Sequence, residues 1–131
     1  MDTRVRVLGV GVGLTAALLF GGASAVQADP SGCSAPLPTL TFDSGNNMTV
    51  KGTASCSATS TRTWRVEIKY QKTLSPDPTV GGSSYTAATR SYSRSYTTCD
   101  DGAAHPYYGR SFFSTNTTYH DSATQDKRSC G

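Results

Sequence analysis

TWRVEIKYQ, residues Thr63 to Gln71, is the stretch that decides the fold. Trp64, Val66, Ile68 and Tyr70 alternate with Arg65, Glu67, Lys69 and Gln71. Successive side chains of a strand point to opposite faces, so this period of two predicts a half-buried strand with the apolar set against a core. Helical periodicity is missing from the rest of the chain after residue 28, while threonine, serine, tyrosine, valine and glycine are plentiful. That mixture suits a pleated, half-buried surface and predicts an all-β protein.

Upstream of this strand, LPTLTF (Leu37 to Phe42) and NMTVKGTASC (Asn47 to Cys56) flank the turn-forming residues DSGN. A reversal there, taken as symmetric, pairs Phe42 with Asn47 and Leu40 with Thr49, and brings Cys33 opposite Cys56. The chain has four cysteines, an even number, and several connectivities are open to it. The hairpin favours Cys33–Cys56. The same symmetry for Cys99–Cys130 centres a second reversal on Thr115 and Asn116, between YYGRSFF and TYHDSA. No two cysteines have the close C-x-x-C spacing of a zinc site, so disulfides are expected and metal is not.

The first residues belong to a different kind of segment. Arg4 and Arg6 precede the apolar run VLGVGVGLTAALLF (Val7 to Phe20), and small residues follow in GGASAVQA. A basic end, a short apolar stretch and a small-residue exit predict a secretory signal peptide. Cleavage after Ala25 or Ala28 fits the pattern, and Ala28 is preferred because Asp29-Pro30 then opens a polar N-terminus. Residues 1–28 are thus expected to be the signal and residues 29–131 a single domain. The apolar run is shorter than the roughly 20 residues needed to span a bilayer, and no later stretch approaches that length. A secreted, extracellular protein with no membrane span after cleavage is expected. Removal of Arg4, Arg6 and Asp2, two cations and one anion, lowers the formal charge from +3 to +2. Such a mild charge gives no reason to expect a nucleic acid.

Charge is unevenly distributed, however. Between Lys51 and Arg94 stand seven cations, Lys51, Arg62, Arg65, Lys69, Lys72, Arg90 and Arg94, against Glu67 and Asp77. Within this region RSYSRSY places Arg90, Tyr92, Arg94 and Tyr96 at every second position, with serines between. Two readings of that stripe are open. In one it faces solvent beside Arg65 and Lys69 and forms a basic-aromatic surface for an extracellular protein or for an anionic or cell-wall polymer. In the other the tyrosines fill the core and the arginines reach past its edge. The candidate binding surface is therefore Arg65, Lys69, Arg90, Tyr92, Arg94 and Tyr96.

Groups suited to catalysis gather near the C-terminus: Asp100, Asp101, His105, His120 and Asp121. Asp-Asp-Gly is turn chemistry, and His105 is held extended by Pro106, so structural roles account for them. There is no G-x-S-x-G or S-x-x-K, and Glu67 is the only glutamate, which removes a paired-glutamate glycosidase. No catalytic residue, metal or cofactor is expected. Asn47-Met48-Thr49 and Asn116-Thr117-Thr118 match the glycosylation acceptor pattern. The stretch TLSPDPTVGGSS (Thr73 to Ser84) reads as a mobile loop. Its part from Leu74 to Gly82 is the segment an inhibitor of a secreted protease or amylase would offer, the alternative function.

The signal segment, the four cysteines, VKGTASC (Val50 to Cys56), WRVEIKYQ and YYGRSFF (Tyr107 to Phe113) resemble the small secreted four-cysteine β-sandwich proteins of actinobacteria, most of which have no assigned activity. The resemblance implies a secreted β-sandwich and supplies no active-site residues. The small actinobacterial α-amylase inhibitors are also all-β with two sequential disulfides, but their inhibitory Trp-Arg-Tyr lies between the first two cysteines. Trp64-Arg65 comes after Cys56 and is followed by Val66, so that role is not carried over. The expectation is an Ig-like antiparallel β-sandwich of about seven strands, stapled by two disulfides and working as a non-catalytic binding module.

Overall fold

The computed structural model describes residues 29–115 and 118–131. The expected signal segment, and Asn116 of the second acceptor pattern and second reversal, lie outside them. Seven strands follow in order: β1 (Cys33–Ser34), β2 (Thr39–Phe42), β3 (Met48–Tyr70), β4 (Thr79–Thr98), β5 (Ala104–Phe113), β6 (His120–Asp121) and β7 (Gln125–Arg128). All pairings are antiparallel and belong to one sheet.

The length of β3 and β4 sets the architecture, at 23 and 20 residues. Their register jumps from Ser55↔Ser91 to Ser60↔Thr89, so β3 inserts extra residues at one point of the hairpin. Such a bulge bends the strand and sharpens its twist, and the sheet curls over on itself. The first half of the hairpin, 48–55 with 91–98, carries β1 and β2 on the free side of β3. The second half, 60–69 with 79–89, carries β5, which in turn pairs with β6 and β7. These halves are the two layers. Leu40, Met48 and Val50 of the first pack with Val66, Ile68 and Tyr107 of the second. Ala54, Cys56 and Tyr92 pack likewise with Trp64 and Phe113. Trp64, wholly buried, donates its Nε1–H across the layers to the carbonyl of Gly52 at 3.1 Å.

Glycines allow the layers to meet. A Cβ on Gly52 would stand 2.7 Å from Ser111 Cβ and 3.1 Å from Val66 Cγ1, and one on Gly109 would stand 2.6 Å from Val50 Cγ2. Only a residue without a side chain fits such an approach.

The first hairpin differs from the symmetric expectation by one residue. Leu40 pairs with Val50 and Phe42 with Met48, in place of Leu40 with Thr49 and Phe42 with Asn47. A one-residue slip moves every side chain to the other face, and the observed register sets buried Leu40 opposite buried Val50. The turn accommodates it: Asp43 N–H donates to Asn47 O, Asn46 adopts φ 64°, and Asp43 Oδ1 accepts the N–H groups of Gly45 and Asn47. Cys33 nonetheless faces Cys56, because the residues between β1 and β2 absorb the difference. Both expected disulfides, Cys33–Cys56 and Cys99–Cys130, are formed.

A second difference concerns Thr73 to Ser84. The loop ends at Pro78, and Thr79 to Ser84 belong to β4, paired with β3. Gly81-Gly82 reads as a turn in sequence but serves close contact, since a Cβ on Gly82 would lie 3.3 Å from Glu67 Cα. Among the described residues β4 pairs with β3 alone, so its outer edge is open. At the bend, Ser93 N–H donates to Tyr85 Oη, and the Tyr92 hydroxyl donates to Ala87 O.

Candidate functional site

The RSYSRSY stripe does not form a solvent face. Tyr96, Arg94 and Tyr92 stand opposite Val50, Gly52 and Ala54, and facing residues of an antiparallel pair share one side of the sheet. Val50, Gly52 and Ala54 point into the core, so the stripe follows them inward. Tyr92 is buried, Tyr96 and Arg94 are half-buried, and Arg90 at the bend is exposed. Arg94 is held between the layers, with Nε donating to Ser83 Oγ at 2.8 Å and the guanidinium 5.5 Å from the centre of the Tyr85 ring. Of the six candidate residues, Arg65 and Lys69 alone share the outer face of the second layer.

That face carries a charged-aromatic surface built with different partners. The register aligns Arg65 with Phe112, Glu67 with Arg110, Lys69 with Tyr108, and Arg110 in turn with Asp121. Alternation along YYGRSFF sends Tyr108, Arg110 and Phe112 outward and Tyr107, Gly109, Ser111 and Phe113 toward the first layer. The charged groups are tied in place. Arg65 Nε donates to Glu67 Oε2 at 2.8 Å, and Lys69 Nζ donates to Thr79 Oγ1 at 2.7 Å. Arg110 grips Asp121 with a two-pronged pair, Nε to Oδ1 at 2.8 Å and Nη2 to Oδ2 at 3.0 Å. This holds the guanidinium more firmly protonated than usual. The Tyr119 ring lies 4.1 Å from the same guanidinium and meets Phe112 edge-on, yet stays 46% exposed.

Above one end of this face stands the loop between β3 and β4. Asp77 anchors it: Oδ1 accepts the Lys72 N–H at 3.0 Å, and Oδ2 accepts the Tyr108 hydroxyl at 2.7 Å. The Tyr108 bond, then the Lys72 bond, hold this carboxyl below its ordinary range, while burial and the Asp77 charge push the Tyr108 phenol up. Further bonds from Tyr70 N–H to Pro78 O and from Gln71 N–H to Pro106 O close the base. At the tip Leu74 is 100% exposed and adopts φ 66°, an uncommon conformation for a branched residue. An open cleft of about 220 Å³ lies below, with Gln71 and Asp77 on the loop side and Tyr108 and Arg110 as floor. Asp121, Ser122 and Thr124 close its far wall.

The two histidines do not join one acid–base site. His105 pairs with Asp101 at 3.2 Å, while His120 Nε2 lies 2.8 Å from Asp29 Oδ1 and Asp121 is held by Arg110. Among the described residues, Asp100, Asp101 and His105 form the one group that brings potential metal-ligand atoms within 4.8 Å of one another. Each already has a protein partner: Asp100 accepts the Tyr107 hydroxyl at 2.6 Å, and Asp101 accepts the Ala103 N–H at 2.8 Å.

Fold and face together define a disulfide-stapled all-β protein with a polar-aromatic outer face beneath an anchored loop. Comparison with protein-family models, with curated proteins and with solved structures gives no match.

Proposed function

We propose that this protein is a secreted, non-catalytic binding module whose contact surface is the outer face of the second layer. The observation that carries this reading is the set of cross-strand rows that puts Arg65, Lys69, Arg110 and Phe112 on one face, with Tyr108 buried under the loop at one end and the Tyr119 ring exposed beside them. Rigid rings and fixed guanidinium groups are the residue types that dominate interfaces. The two disulfides support an extracellular setting, as does the apolar segment near the N-terminus. Among the described residues no helix is long and apolar enough to cross a membrane. Two facing layers of antiparallel strands support an Ig-like comparison, and kinship with the small secreted actinobacterial proteins rests on the sequence resemblance. The partner is an extracellular protein or a cell-wall polymer. Capture from culture medium and from a cell-wall fraction tests the reading, with Arg65→Ala/Lys69→Ala as the control. A partner held by the native protein and lost by the variant is the expected result; equal capture by both removes the face from consideration.

A second reading, inhibition of a secreted hydrolase, is favoured by Leu74. An apolar side chain fully in water on a loop pinned at its base is suited to enter a partner's pocket, because little freedom remains to be lost on docking. Leu74→Asp is expected to abolish inhibition in a panel of secreted proteases and amylases without altering stability. Absence of inhibition by the native protein at micromolar concentration would remove this reading.

A further inference from the structure

We infer that the cleft beneath the loop binds one ring of a neutral saccharide. This rests on the outer face being the binding face and narrows the class of ligand that face takes. Size is the first argument. Drug-sized ligands occupy pockets of about 300–1,000 Å³, whereas this cleft measures about 220 Å³ and is open on one side. It admits one ring or one side chain.

Charge is the second. Asp77 and Asp121 stand against Arg110, and Lys69 is near enough to Asp77 to help hold its carboxyl ionised. Each carboxylate of the lining is thus matched by a cation, Asp121 by its pair with Arg110 and Asp77 by Lys69 from outside the lining. An anionic ligand meets the two carboxylates of the lining, a cationic one meets Arg110, and a neutral group gains most.

Hydrogen-bonding capacity is the third. A carboxylate offers about four acceptor sites, and each of these two has two protein donors, Lys72 and Tyr108 for Asp77 and the Arg110 pair for Asp121. Arg110 places two of its N–H groups on Asp121 and keeps the rest of its fork. The exposed Gln71 amide and Thr124 hydroxyl complete a lining that donates and accepts at once. Vicinal hydroxyls do both, which makes a sugar ring the complementary shape. The planar groups are already fixed by one another, so little ordering is required on binding, and the exposed Tyr119 ring, 4.1 Å from the Arg110 guanidinium though outside the cleft's lining, offers the apolar side of a ring a neighbouring surface.

The test is a titration of the ¹⁵N-labelled mature protein, followed by amide NMR, with glucose, N-acetylglucosamine, maltotetraose, cellotetraose and the N-acetylglucosamine tetramer at millimolar concentration. The expected result is saturable shifts confined to residues 71–77, 108–110 and 121–124 for at least one of them. Equal affinity for a monosaccharide and its tetramer indicates a free sugar or a chain end; tighter binding of the tetramer indicates a polymer. In Gln71→Ala/Thr124→Ala, two exposed positions whose replacement leaves the remaining spectrum as a check on folding, affinity falls about two- to tenfold for each hydrogen bond lost. No shift with any of the sugars, or shifts unchanged in the double variant, overturns the inference. If a protein partner is captured through Arg65 and Lys69 while no sugar binds, the binding face stands and the saccharide site is rejected.

Discussion

At the scale of single residues, the molecule depends on groups that meet across the two layers. Gly52 is one of these: its carbonyl accepts the Trp64 indole N–H, and a Cβ on it would meet Ser111 and Val66. Gly52→Ala forces a methyl into that contact, and overpacking of this kind costs about 1–3 kcal/mol. The urea midpoint is expected to fall accordingly, with the m-value unchanged. Two tyrosines give a second prediction. Burial first, and then the neighbouring carboxylates of Asp100 and Asp77, raise the phenols of Tyr107 and Tyr108 above the ordinary value of 10.0. A phenol easier to keep protonated in the folded state stabilises that state fully below pH 10.0, and this contribution is lost as pH rises toward the raised folded values. Phenolate absorbance is therefore expected to show Tyr107 and Tyr108 ionising only as far-UV circular dichroism is lost. Ionisation of both with the fold intact would contradict this.

At the scale of elements, what the sequence discloses depends on whether alternation fixes a face as well as a period. In WRVEIKY the two sets differ so strongly that both are legible, and Trp64, Val66 and Ile68 are all buried. RSYSRSY has the same period, but neither serines nor a mixture of tyrosine and arginine has a decisive preference for the core. The choice is made by the partner strand, where Val50, Gly52 and Ala54 draw Tyr96, Arg94 and Tyr92 inward. The surface resembling the expected one sits on β5 because Tyr107 and Phe113 frame Tyr108, Arg110 and Phe112, a pattern the same rule of two would have separated. Gly81-Gly82 is misleading for a different reason: glycine marks turns and close approaches alike. The cleft was illegible, since it joins Asp77 and Asp121 across a loop and two strands. β1 provides the prediction at this scale. It has two residues, and its disulfide from Cys33 fastens it to β3 at Cys56. Cys33→Ser/Cys56→Ser is expected to lower stability by about 2–5 kcal/mol, read as a lower denaturant midpoint, while the Cys99–Cys130 bridge remains intact in a thiol assay.

For the whole molecule, β3 and β4 belong to both layers at once, and this gives folding a direction. The pair Lys69↔Thr79 lies beside the connecting loop, whereas Met48↔Thr98 closes the far end of the same hairpin. Short closures lose less chain entropy than long ones, so within this hairpin the pairing of β3 with β4 is expected to advance from the loop, round the bend at Ser55–Ser60 and reach Met48↔Thr98 last. Cys99 follows Thr98 directly, at the end of this advance. The hairpin is thus expected to zip from its loop outward, and the Cys99–Cys130 bond stands beside the last of its pairs to close.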